Sequence, residues 1–368
     1  MRSSTRNYGI DLLRIISMLG VVFLHVLGHG GILNLKHSAI NFSTVWFFET
    51  LAYPAVNCFV LVSGYVGYKD DKICPKIKNL LSLMLTVAFY SVFLFFAFTL
   101  LGMEPFGKKA LAKSLLPTIY KKYWFFSIYF GLFLLSPLLN LLVQKSDLKH
   151  AFGFLCVLLL FSAISCIYDT FSLQDGYSLT WFIFIYLAGA FVKKFRLSEL
   201  LSKKWWLGIS LIAFVITWLS KIALQYSHIA FLVKHSGLLV KYVSPTVVVM
   251  AIALLCWFSK INCKPSLGKI IAFFSSSAFS VYLIHDNSLV RKHFISKLHT
   301  FIGNANFIVL SGYIVCIVAA IFLACTLLDK VRILLFKLLK IDKLTEKIEN
   351  WIKAAANTIY AKLKEAAK

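Results

Sequence analysis

Apolar residues run along this chain in blocks of about twenty, separated by short stretches rich in lysine. The blocks lie near 9–29, 45–66, 79–101, 123–143, 151–168, 178–192, 205–222, 238–258, 270–290 and 307–328. About twenty helical residues match the thickness of bilayer hydrocarbon. The pattern therefore predicts an all-α polytopic membrane protein, a bundle of about ten transmembrane helices. The block at 178–192 is short, which predicts a tilted or partly broken span. From Ile341 onward the pattern changes. Leu344, Ile348, Trp351, Ile352, Ile359 and Leu363 share one helical face and lysines take the rest, as in a C-terminal amphipathic surface helix. The expected division is a transmembrane domain over 1–330 and a basic amphipathic cytoplasmic tail over 331–368, with no soluble domain after it.

Composition agrees: 60% of residues are hydrophobic, 15% are charged, and mean hydropathy is +0.80. A formal charge of +24 would suggest nucleic acid in a soluble protein. In a polytopic one it reads as lysine-rich loops that orient the chain and touch anionic headgroups, so no nucleic acid is expected. Arg2 and Arg6, Lys69, Lys72, Lys76 and Lys78, the cluster from Lys193 to Lys204, Lys260, Lys264, Lys269 and the tail fall on one side if ten crossings are counted. That side is expected to be the cytoplasm, with both termini in it. The connection 102–122 runs against the rule, and its amphipathic "KKALAKSLLPTIYKKYW" is expected to lie along the outer surface. The first block lacks a small-residue cleavage site and is read as retained. The eight cysteines include no C-x-x-C pair and read as reduced packing residues.

The first block, "IDLLRIISMLGVVFLHVLGH", holds ionisable groups that are costly in lipid. Arg14 and His25 are eleven residues apart, which returns to within about 20° of the same helical face after a rise of about 16 Å. Asp11 and His29 lie on that face too. One reading is structural: Asp11 and Arg14 pair near the interface, and His25 hydrogen-bonds a neighbouring helix. The other is that the arginine holds an anionic ligand while the imidazole handles protons. Spacing alone leaves both open.

The arginine, ten residues and histidine of this helix resemble the first-helix motif of the acyltransferase-3 membrane proteins. So do "NCFVLVSGY" at 57–65, "YWFFSIYFGLFLLSPLLN" at 123–140, "YLAGAFVKK" at 186–194 and "SSSAFSVYLIHDN" at 275–287, in that order. The resemblance implies an integral O-acyltransferase of a bacterial plasma membrane, with 1–330 as the acyltransferase domain. It would move an acyl group, usually acetyl, from cytoplasmic acyl-CoA to a hydroxyl of an exported carbohydrate such as a capsular or wall polysaccharide. Acetyl-CoA is then a donor substrate and no metal is needed. A carrier or flippase for a lipid-linked saccharide is the alternative, although neither discontinuous helices nor related halves are evident in the sequence.

On this reading Arg14 attracts coenzyme A phosphates, and Ser63, Gly64 and Tyr65 lie at the same level, where Ser-Gly permits close backbone approach. Where relatives carry arginines after this point, the chain has Lys72, Lys76 and Lys78, which keep charge but lose the bidentate fork. His25 is the candidate general base, with an acyl-histidine intermediate left open. For the acceptor, His285 and Asp286 are set against interhelical hydrogen bonding, Arg291 against a solvated arginine, and Trp124, with Tyr123 and Trp181, against an aromatic belt. Glu49 is expected to orient His25 if their helices pack together.

Overall fold

Asn7 starts the first helix: its side chain accepts a hydrogen bond from the Ile10 amide, and α1 (Tyr8–Leu27) follows. The structure, a computed structural model, describes residues 6–69, 77–302 and 305–366. After α1 come α2 (Ala39–Ala52), α3 (Ala55–Gly67), α4 (Ile77–Leu100), α5 (Lys108–Leu115), α6 (Trp124–Lys145), α7 (Leu148–Ile167) and α8 (Leu179–Lys194). The second half holds α9 (Lys203–Gln225), α10 (Ala230–Lys234), α11 (Pro245–Ser259), α12 (Pro265–Ser275), α13 (Ala278–His285), α14 (Ser288–His293), α15 (Phe307–Leu338) and α16 (Ile341–Ala366). The protein is an all-α polytopic membrane protein, with no strand among the described residues.

Each of the ten apolar blocks contains helix, but four differ from the pattern in ways that matter. The second block is two helices, α2 and α3, interrupted at Tyr53 and Pro54, where proline has no amide to continue the ladder. The ninth is α12 and α13, interrupted at Ser276 and Ser277. The eighth starts late, at Pro245, because 236–244 is turn. The tenth, α15, runs unbroken through 331, so the tail separates at Leu339 and Lys340 instead. Among the described residues eight spans are long and apolar enough to cross a membrane, each broken pair counted once; α8 and α11 are shorter, 16 and 15 residues, and mostly buried.

Helix α1 touches α2, α3, α11, α12, α13 and α15. The tightest approach is between α3 and α8. A Cβ on Gly64 would lie 2.0 Å from the Tyr186 carbonyl oxygen, and one on Gly189 would lie 2.1 Å from that of Leu61. Only glycine lets the two backbones meet, as is common at membrane helix interfaces. In the 102–122 connection α5 packs on α4, and Lys122 turns inward to Ser114 Oγ at 3.0 Å; burial pushes its ammonium down to about 8. The tail helix α16 is latched to the start of α4. Lys78 pairs with Glu346 at 3.3 Å, and the Glu349 carboxylate, bonded by Lys353, accepts from the Ile77 and Lys78 amides, supplying that helix end with acceptors. These bonds hold the Glu349 carboxyl below its ordinary range. Trp351, Ile359 and Leu363 remain exposed.

Gly64→Ala is expected to cost about 1–3 kcal/mol through overpacking of α3 on α8. Gly208, in α9 with open space around it, provides the control. Thermal unfolding in detergent should show a lowered Tm for Gly64→Ala alone; equal Tm values for both variants would contradict the contact.

Candidate active site

At the end of the bundle where the chain enters, Asp11 lies between two guanidinium groups. Arg14 Nη1 donates to its Oδ1 at 2.6 Å and Arg6 Nε donates to its Oδ2. The carboxylate orients both arginines yet cancels only one of their charges. They border a cavity of about 350 Å³ that Ser63, Tyr129 and Ser275 also line. Ser63 therefore faces this space, its Oγ donating to the Phe59 carbonyl. Gly64 instead faces α8. Tyr65 is also turned away, with Lys193 Nζ 4.9 Å from its ring centre. Lys72 and Lys76 lie outside the described residues.

A second, smaller cavity of about 30 Å³ lies further along α1, bordered by His25, Val56, Trp124, Tyr242 and Tyr282. Phe59, Phe125 and Phe279 line both cavities and form an aromatic septum between them, from α3, α6 and α13. Arg14 thus borders one chamber and His25 the other, about 16 Å apart along one helix.

The hydrogen bonds around His25 fix its tautomer. His285 Nδ1 lies 2.6 Å from the Val281 carbonyl oxygen, which can only accept, so Nδ1 carries the proton and Nε2 holds a lone pair. That Nε2 is 2.9 Å from His25 Nδ1, which must then donate. The lone pair of His25 is left on Nε2. Asp286 Oδ1 is 3.6 Å from His25 Nδ1, close enough to stabilise a positive charge on the ring. Further out, Arg291 Nη1 donates to His29 Nε2 at 3.2 Å and lies 3.4 Å from Asp286 Oδ1.

The family model for the acyltransferase domain Acyl_transf_3 matches residues 7–329, almost the whole bundle and both chambers. The chain belongs to the acyltransferase-3 family. It is a multi-pass membrane acyltransferase, and the match does not favour a carrier. Comparison with curated proteins and with solved structures returned no match.

Within this acyltransferase, His285 and Asp286 are 1% and 3% exposed and face His25, which makes them partners of the imidazole. Glu49 does not orient His25, because His285 and Asp286 occupy that position; it is buried beside the break in the second span, with no hydrogen-bond partner for Oε2 among the described residues. Trp124 does border the His25 chamber, its ring 4.6 Å from Tyr177. Tyr123 and Trp181 are neither belt nor platform. The first donates to the Leu283 carbonyl and the second, through Nε1, to Asn57 Oδ1, both in the core.

Arg291 is held by a residue that spacing did not reveal. It belongs to α14, whose next two residues, Lys292 and His293, each contact Glu104 at 2.6 Å across the face of the bundle. Hydrogen bonds from these two side chains hold the Glu104 carboxyl below the ordinary carboxylate range. A depressed carboxylate stabilises the fold above its unfolded pKa and loses that contribution as pH falls through its folded one. The clasp on α14 should therefore hold at neutral pH and release in acid. Hydrogen exchange of 288–301, corrected for intrinsic rate, should rise as pH drops below about 4, and at pH 7 in Glu104→Gln. Equal protection in the variant would show that α14 is held by other contacts.

Proposed function

We propose that this acyltransferase takes a short acyl group, acetyl in the simplest case, from acyl-CoA at the face bearing the N-terminus and delivers it to a carbohydrate hydroxyl from the opposite face. The observation that carries this reading is the pair of chambers on one helix: a basic one beside Arg14 and a small one beside His25, with only aromatic rings between. Coenzyme A phosphates suit the guanidinium groups of Arg6 and Arg14. The uncharged pantetheine arm parts the septum and brings the thioester to the second chamber. His25 Nε2 takes the acceptor hydroxyl's proton as its oxygen attacks the carbonyl carbon. Collapse of the tetrahedral intermediate breaks the carbon–sulfur bond, and the proton passes from His25 to the departing thiolate. His285 fixes the ring so that Nε2 carries the lone pair, and Asp286 stabilises the imidazolium formed midway. The acceptor approaches past His29, Arg291 and Trp124, and no metal takes part.

The N-terminal face is read as the cytoplasmic one of a bacterial plasma membrane, with both termini inside, because lysines of the loops and tail gather there. In a cysteine-free background, cysteines placed at the exposed positions 36, 108 and 170 should label with an impermeant reagent in intact cells, and one at 200 should not. Labelling of 200 from outside would reverse the orientation.

Incubation of purified protein with labelled acetyl-CoA and candidate glycans tests the reaction. His25→Ala should lower transfer by about 10²–10⁴-fold while coenzyme A still binds. Arg14→Ala should weaken donor binding, and Arg14→Lys should restore part of it. Near-normal turnover by a folded His25→Ala protein would remove the imidazole from the mechanism.

A further inference from the structure

We propose that the far end of α1 also forms a site for a divalent transition-metal ion of the Zn²⁺ type, with His25, His29 and Asp286 as ligands. His25 lies in the last turn of α1 and His29 in the turn that follows the helix, their ring centres separated by 4.9 Å. Asp286, from the corner between α13 and α14, brings Oδ1 to 3.6 Å from His25 Nδ1 and 3.8 Å from His29 Nε2. All three ligand atoms lie within 4.8 Å of one another. Metal–ligand bonds of about 2.0–2.1 Å in tetrahedral geometry put donor atoms about 3.3 Å apart. Two of the separations are within about half an ångström of that, and rotation of the exposed His29 ring can shorten the third.

A second observation points to a cation. Asp286 is 3% exposed, and the oxygen facing the two imidazoles has no hydrogen-bond partner among the described residues. The Arg291 guanidinium is the positive group nearest to it, at 3.4 Å, while also donating to the lone pair of His29 Nε2. Arginine thus sits where the ion's charge would be, touching two of the three ligands. Its side chain is 36% exposed and can swing into water, leaving the carboxylate oxygen and the His29 lone pair to the metal. Binding at His25 Nδ1 moves the ring proton from this nitrogen to Nε2, so the imidazole stays neutral and its hydrogen bond to His285 is given up. The fourth position stays open to water, as in sites not closed by four protein ligands.

The whole purified chain in detergent, titrated with ZnCl₂ by calorimetry, tests the site. One saturable site is expected, weakened about tenfold or more in His29→Ala and Asp286→Asn. Arg291→Gln should tighten it several-fold, because the competing cation is gone, and replacement of the exposed His150 at the start of α7 (His150→Ala) should leave it unchanged. Co²⁺ in place of Zn²⁺ should give visible absorption bands that His29→Ala removes. Absence of saturable binding, full binding in His29→Ala, or weaker binding in Arg291→Gln would each overturn the proposal. The ion should also suppress acyl transfer by wild-type protein, a consequence that rests on the proposed role of His25. Should wild-type protein transfer no acyl group at all, that role fails, while the calorimetry still decides the metal site.

Discussion

An ionised side chain facing hydrocarbon costs several kcal/mol, and α1 carries Asp11, Arg14 and His25 along one stripe, with His29 in the turn just after it. The stripe has to face protein, so α1 must be wrapped by other helices. Six helices contact it, from both halves of the chain. The same constraint explains how its charges are arranged. Asp11 sits between two arginines, and Asp286 has an arginine and two histidines around one oxygen. Away from α1 the rule recurs at Asp329 in α15, which Arg332 and the Tyr90 hydroxyl both bind. Each of these three carboxylates brings its partners with it.

Irregular backbone inside the membrane is subject to the same rule, since unpaired amides are as poorly tolerated in lipid as unpaired charges. Both broken spans keep their hydrogen bonds through tighter turns. At the first break the Tyr53 amide donates to Glu49 and Thr50, and the Cys58 amide to the Pro54 carbonyl. At the second, Ser277 donates to Phe274, and Val281 resumes the helix on Ser277. The second break leads into α13, the helix that ends at His285.

The ten apolar blocks were legible because bilayer thickness dictates segment length whatever the fold. The stripe on α1 was legible because helical period relates residues on one helix. Contacts between helices lack such a rule. That His285 meets His25 follows from packing of residues 260 positions apart, and only the short bond to Val281 fixes which nitrogen is free. Gly64 shows the converse: a glycine permits close approach, but sequence does not say to what, and the partner is α8. The break at Pro54 had a visible signal in the proline itself; the one at Ser276 had none as clear. Glu104 was overlooked because a lone glutamate in a lysine-rich loop reads as solvated, and its partners lie in α14.

A path for a polar donor through a membrane protein threatens to become a path for ions. In the reaction proposed above, the two chambers address this by what they allow past the septum of Phe59, Phe125 and Phe279. In the proposed reaction the phosphates stay at Arg14 and the hydroxyl stays on the far side, so only an uncharged thioester arm has to pass three rings. The proton lost by the acceptor leaves on the thiol, and no net charge crosses with the acyl group. Aromatic side chains fit such a passage because an apolar constriction excludes hydrated ions by dewetting yet yields to a slender neutral chain. A polar residue in the septum would hold water there and join the two chambers, which is why the ionisable groups of α1 stand at either side of the rings and none stands among them.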